Sequence, residues 1–363
     1  MRVIGLAGLL LTLTTVANSN VIRRSKDDKN VDKLRFEEED IKMFRGKGVW
    51  FYDDKENLVQ ATLNETLIVT RGLDVSQNLD DSVFFKLYTR EIKEGYQSLY
   101  INDDFTFSKS NFDPKRPTKF ITHGWMNSYS SPACTLIRKA YLQHDDYNVI
   151  VVDWSEIAIG EYISASMLVK KVGRFVAAMI DFLETKGMDP TKTTLVGHSL
   201  GAHVMGLAGY FSNNTVNYVV GLDPALPLFA TATESSRISS ASASYVEIIH
   251  TNAGLLGYKN EIGHTDFYPN GGSFQLGCKV DITGACSHAR AFKFFAESII
   301  SKAGFYGKKC EDYESYKKRK CKGEVALMGD PKQTLRNLRI LHATGKFYLE
   351  TREDAPFAVG PVK

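Results

Sequence analysis

Gly197-His198-Ser199-Leu200-Gly201 follows the short apolar run Thr194-Leu195-Val196 and leads directly into the small and apolar residues Ala202 to Gly209. A strand, a sharp Gly-x-Ser-x-Gly turn and a helix together lift a serine hydroxyl out of an α/β sheet. The turn is strained and crowded, so a side chain at either glycine would meet the strand or the helix. The pattern predicts a layered α/β fold and makes Ser199 a candidate nucleophile.

The rest of the chain fits such a sheet. Residues 83–89, 119–122, 148–154, 218–222 and 245–249 read as strands, and the 148–154 run is apolar enough to be buried on both faces. Residues 158–186 carry apolar side chains at helical spacing and stop near Gly187, with Pro190 beyond. A second helix is expected at 289–303. Residues 251–283, rich in Gly, Asn and Tyr, read as long functional loops. Strands separated by helix-length segments imply a mainly parallel central sheet flanked by helices. No repeat or linker divides it, so residues 49–363 are expected to form one catalytic domain.

The first 19 residues, with Arg2, an apolar stretch and the small residues Ala17-Asn18-Ser19, read as a secretory signal peptide cut after Ser19. Residues 20–48 are dense in charge and poor in apolar side chains, which suits a mobile arm or a removable propeptide. No later run is long and apolar enough to span a bilayer. A net charge of +3 with 24% charged residues argues against nucleic-acid binding and against a disordered chain.

Five cysteines are expected to pair largely as disulfides in a secreted chain. Cys278 with Cys286 would close a loop of seven intervening residues, and Cys310 with Cys321 one of ten, leaving Cys134 over. No Cys-x-x-Cys or paired Cys/His spacing supports a metal site. Asn64 and Asn213 head glycosylation sequons.

A serine nucleophile needs a base to take its proton and an acid to orient that base, in the chain order Ser, Asp or Glu, His on this type of fold. Asp223 ends the strand 218–222 and precedes Pro224, which places a carboxylate beside the turn. His250, His264, His288 and His342 satisfy the order. His288 stands out, two residues after Cys286 and at the start of a helix. His198 and His203 flank the serine too rigidly to serve as the base and read as packing residues or as supports behind the reacting groups. Two N–H donors must bind the oxyanion. Leu200 supplies one, and Trp125, in the turn His123-Gly124-Trp125 after strand 119–122, the other.

His123-Gly124-Trp125, the 197–203 turn, Gly221-Leu222-Asp223-Pro224-Ala225, His264 to Gly272 and Cys286-Ser287-His288-Ala289-Arg290 occur in the order and with the character of the pancreatic lipase family. Gly345 to Leu349 and Ala355-Pro356-Phe357 resemble the end of that family's catalytic domain. The resemblance covers roughly residues 50–360. It implies an α/β-hydrolase fold with Ser199, Asp223 and His288 as the triad, and no cofactor.

Departures from the family narrow the expectation. The chain stops about where the catalytic domain stops, so no colipase partner is expected. The loop between Cys278 and Cys286 stands where triglyceride lipases carry a long lid, and the 251–263 loop is also short. Both resemble secreted phospholipases A1 such as those of insect venoms. Glu234 and Arg237 match positions of the family's calcium segment, but Ser239 and Ser242 replace acidic ligands, so no metal is expected.

The expected activity is hydrolysis of the sn-1 ester of glycerophospholipids at a membrane or micelle surface. The enzyme would be secreted and monomeric, touch the membrane transiently and bind no nucleic acid. A triacylglycerol or galactolipid lipase is the alternative. A non-catalytic lipid-binding or yolk-storage protein is the alternative from outside catalysis.

Overall fold

The computed structural model describes residues 48–61, 78–329 and 343–361. The signal peptide, the arm up to residue 47, the Asn64 sequon and His342 lie outside these residues.

Among the described residues, β1 (Val49–Tyr52) and β2 (Leu58–Ala61) form an antiparallel hairpin. Eleven strands form one sheet. They are β3 (Phe84–Tyr88), β4 (Gln97–Leu99), β5 (Thr118–Thr122), β6 (Asn148–Asp153), β7 (Thr193–His198), β8 (Tyr218–Leu222), β9 (Tyr245–Ile249), β10 (Thr265–Pro269), β11 (Tyr306–Lys309), β12 (Val325–Leu327) and β13 (Gly345–Leu349). Their order is β12-β11-β13-β10-β9-β8-β7-β5-β6-β3-β4. The run from β13 to β6 is parallel, and both margins are antiparallel.

Every residue of β5 to β8 is buried, as expected where helices cover both faces. Alternate side chains serve the two faces. Val152, Leu195 and Val219 pack with Val169 and Val204, from the helices α4 (Tyr162–Thr185) and α5 (Leu200–Phe211). Val151, Val196 and Val220 pack with Ile137 and Phe295, from α2 (Pro132–His144) and α6 (Ala285–Ile300). Gly173 of α4 faces Leu207 of α5, where an added Cβ would come within 2.7 Å of the Leu207 Cβ. Short helices α1 (Asp104–Ser108), α3 (Ser155–Ala158) and α7 (Tyr313–Lys317) complete the described α-helices.

Strand β5 lies between β6 and β7, so the chain leaves it first to one side and then to the other. Open parallel sheets bind ligands in the crevice at such a switch point, beyond the carboxyl ends of the strands. Trp125 follows β5 and Ser199 follows β7 at that place.

Three expectations are corrected. The helix anticipated at 158–186 begins four residues later, as α4, because residues 159–161 interrupt the helical path after the short α3, which ends at Ala158. The interruption frees carbonyls that the 123–126 turn uses: Trp125 Nε1–H donates to Gly160 O over 2.7 Å, and Met126 N–H to Ala158 O over 2.9 Å. The 251–283 stretch is not loop throughout, because β10 pairs in parallel with β9 and β13. Its closing Pro269 and the glycines around it hide the strand in the sequence. The last of the anticipated helices begins at Ala285, not Ala289, so His288 sits in its first turn.

Candidate active site

The turn at Ser199 is as tight as its sequence requires. Ser199 adopts φ 57° and ψ −124°, outside the regions open to most L-residues. A Cβ at Gly197 would overlap the carbonyl of Gly201, and one at Gly201 would overlap the carbonyl of His123. Glycine is thus demanded at both places by neighbouring main chain, which gives way least. The resulting geometry holds the Ser199 side chain at the floor of a cleft that His288 also lines.

His288 and Asp223 meet from different elements. The His288 Nδ1–H donates to Asp223 Oδ2 over 2.6 Å. The other carboxylate oxygen accepts from the N–H groups of Thr251 at 2.8 Å and Asn252 at 3.0 Å. Asp223 is fully buried, so these donors stand in for lost water. Neither Ser199 Oγ nor His288 Nε2 hydrogen-bonds another described group. Such bonds often tighten only when substrate arrives.

The helix that carries His288 is tied to the short disulfide loop. Cys278 is bonded to Cys286 and Cys310 to Cys321, while Cys134 is free and buried. Asp281, inside the first loop, accepts from the N–H groups of Cys286 at 3.2 Å and Ser287 at 2.7 Å. It caps the first turn of α6, where donors lack partners within the helix.

Trp125 and Leu200 stand on either side of the serine. A Cβ on Gly124 would lie 2.8 Å from the Ser199 Cβ, so the 123–126 turn passes directly over the nucleophile candidate. The carbonyl of Ser199 accepts from Ala202 N–H at 3.1 Å and Ala225 N–H at 3.3 Å. That fixes the peptide whose other end is the Leu200 N–H.

The remaining histidines have other positions. His198 Nε2–H donates to the carbonyl of His288 over 3.1 Å and its ring lies 4.5 Å from the His288 ring. Burial pushes its basicity well below the usual histidine range. His203 is pushed down to about 3 by burial, and its ring hydrogen-bonds the carbonyl of Ala225. His250 pairs with Asp266 at 2.9 Å in the interior. His264 Nδ1 accepts from Val246 N–H. Asn213 is exposed after α5. Ser239 and Ser242 are buried and cap each other's main chain, and the Arg237 guanidinium lies against Tyr258.

Sequence reasoning missed the wall that the β1–β2 hairpin supplies. The Phe51 ring stands edge-on to His288 at 5.7 Å and to Trp125 at 5.4 Å, and stacks on Tyr162 at 5.4 Å. The alternation Val49-Trp50-Phe51-Tyr52 was its signal, with Val49 and Phe51 both turned inward. The Thr251 and Asn252 amides were also missed as supports, because main-chain donors leave no trace in residue type.

Comparison with known proteins shows the family. A family model described as Lipase matches residues 47–357. "Inactive pancreatic lipase-related protein 1" of Homo sapiens is 36% identical over 260 residues, 65% of this chain and 56% of its own length. "Pancreatic triacylglycerol lipase" of Sus scrofa is 35% identical over 260 residues, covering 65% of this chain and 58% of its own. The Homo sapiens protein of that name is 33% identical over 306 residues, covering 77% and 65%. The chain thus spans little more than half the length of the first two. No helix among the described residues is long and apolar enough to cross a membrane. With an α/β-hydrolase sheet, a Ser199 turn at its switch point and a family match across most of its length, the chain belongs to the lipase family of pancreatic lipase and its relatives.

Proposed function

We propose that this protein is a secreted carboxylic ester hydrolase acting on glycerophospholipids at the sn-1 position. The observation that carries the hydrolase reading is the 2.6 Å pairing of His288 with Asp223 in a cleft shared with Ser199. In this reading Ser199 Oγ attacks the acyl carbonyl and passes its proton to His288 Nε2. Asp223 keeps the imidazole in the Nδ1–H tautomer and stabilises its cation. The oxyanion is bound by the N–H groups of Leu200 and Trp125. Collapse transfers the His288 proton to the departing lysophospholipid oxygen. Water, deprotonated by His288, then hydrolyses the acyl-enzyme. No cofactor takes part.

The Cys278–Cys286 loop supports the phospholipid choice. Only residues 279–285 lie between the cysteines, too few to seal an apolar trench, so a polar headgroup has room beside the serine. Phe274, Leu276, Val280 and Ile282 are exposed in and next to this loop, an apolar rim suited to transient contact with a lipid surface. Two disulfides suit an oxidising compartment.

The names of the porcine and human relatives favour triacylglycerol as a second substrate reading. Turnover of a phospholipid with distinguishable acyl chains, measured beside a long-chain triglyceride, separates the two. Release of the sn-1 chain with slow triglyceride turnover is expected, and triglyceride turnover far above phospholipid turnover overturns the substrate choice. The inactive human relative raises the storage reading. A serine-directed phosphonate is expected to label Ser199, and folded protein that takes up no label would favour the storage reading instead.

A further inference from the structure

The geometry points to His123 as a positioning residue that sets the direction of the Trp125 N–H, an inference that rests on the hydrolase reading above. His123 is fully buried just beyond β5, and no step of the mechanism uses it. Its Nδ1 lies 3.0 Å from the carbonyl oxygen of the next residue, Gly124. A carbonyl only accepts, so Nδ1 carries the proton and donates. That carbonyl belongs to the same peptide plane as the Trp125 N–H. The only cis peptide among the described residues is Ala355–Pro356, so the Gly124–Trp125 peptide is trans. In a trans peptide C=O and N–H point in opposite directions. Holding Gly124 O on the imidazole therefore aims the Trp125 N–H the other way.

The peptide needs such a hold. Gly124 lies against Ser199 with no room for a Cβ, and a glycine rotates its flanking peptides more freely than any other residue. A turned-over peptide would present a carbonyl where the oxyanion forms. The opposite donor is secured in the same way, since the Ser199 carbonyl is held by Ala202 and Ala225 and so aims the Leu200 N–H. The imidazole is itself fixed from behind. Its Nε2 lies 3.3 Å from both the Trp154 N–H and Asp153 Oδ1, and its ring stacks on Trp154. Lys86 Nζ lies 3.7 Å from the other Asp153 oxygen, and Ser155 N–H donates to Asp153 as well. Nδ1 keeps its proton whether Nε2 accepts from Trp154 or donates to Asp153.

Two substitutions separate this role from simple packing. In His123→Asn the amide reaches the place of Nδ1, and in His123→Gln it reaches that of Nε2. Turnover of p-nitrophenyl butyrate and affinity for an alkylboronic acid are measured in both, with thermal unfolding as the check of folding. His123→Gln is expected to lose about 10²-fold in kcat with KM changed less than about threefold, and boronate affinity should fall in parallel. His123→Asn is expected to recover most of both. A folded His123→Gln with kcat near wild type, or equal losses in the two variants, overturns the inference. If neither variant folds, nitrogen NMR of wild-type protein labelled at histidine decides: a proton on Nδ1 of His123 supports the role, and its absence there ends it. A wild type that hydrolyses no ester refutes the hydrolase reading, and the NMR measurement still reads the His123 proton.

Discussion

Asp223 and His288, 65 residues apart in sequence, are joined by a 2.6 Å hydrogen bond while the far oxygen of the carboxylate is taken by two main-chain N–H groups. This division of labour predicts the outcome of Asp223→Asn. The amide oxygen would keep Thr251 and Asn252, so the NH₂ would face His288 Nδ1. His288 would then carry its proton on Nε2, where it cannot accept one from Ser199. We expect kcat to drop by about 10³- to 10⁴-fold with little change in thermal stability, measured on a soluble ester and by calorimetry.

Gly257 offers a test that leaves Ser199, Asp223 and His288 themselves unchanged. A Cβ there would overlap the Asp223 carboxylate. Gly257→Ala is expected to push that carboxylate away from His288 and to lower kcat by about tenfold or more, since small displacements of a positioned group cost rate steeply. Unchanged kcat in folded protein would show that the carboxylate has slack.

The rim at the short loop predicts a split between lipid and soluble substrates. Val280 and Ile282 are 85% and 84% exposed. The double variant Val280→Asp, Ile282→Asp is expected to lose binding to phosphatidylcholine vesicles and most activity on them, while turnover of p-nitrophenyl butyrate stays within about twofold. These residues expose apolar area whose burial would drive the proposed interfacial binding. Equal losses on both substrates would place the loop in catalysis rather than docking.

Buried carboxyl chemistry away from the cleft predicts a pH effect on stability. Burial raises the Glu247 carboxyl to about 8, with Tyr218 beside it. Between about 4.5 and about 8 the folded chain holds a proton there that the unfolded chain has released. Stability therefore falls as pH rises through that window, by at most about 1.4 kcal/mol per pH unit from this group. Glu247→Gln removes the dependence. Its stability relative to wild type, read by urea unfolding, is expected to improve steadily from pH 5 to 8. A difference that stays constant with pH would contradict the shift.

How much of this was legible beforehand differs by the kind of signal. The Ser199 turn, β8 and β9 stood out because apolar runs and glycines are written directly in residue types, and β8 and β9 begin and end where expected. β10 did not, since a five-residue strand ending in proline and flanked by glycines has the composition of a loop. The late start of α4 was hidden because apolar spacing continues on both sides of Gly160. Helix α2 and strands β11 and β12 were not anticipated. The Phe51 wall is a long-range meeting of a hairpin with α4 and α6, and local periodicity does not reveal which distant elements touch.

The strained turn at Ser199 also bears on how such a protein would drift. At φ 57° a glycine would rest more easily than a serine, which gives up roughly 1–3 kcal/mol to hold that shape. Exchange of this proposed nucleophile for glycine would then abolish its chemistry and firm up the fold in one step. A duplicated copy released from selection for turnover would find silence downhill. Its descendants would persist as sturdy, inert bodies.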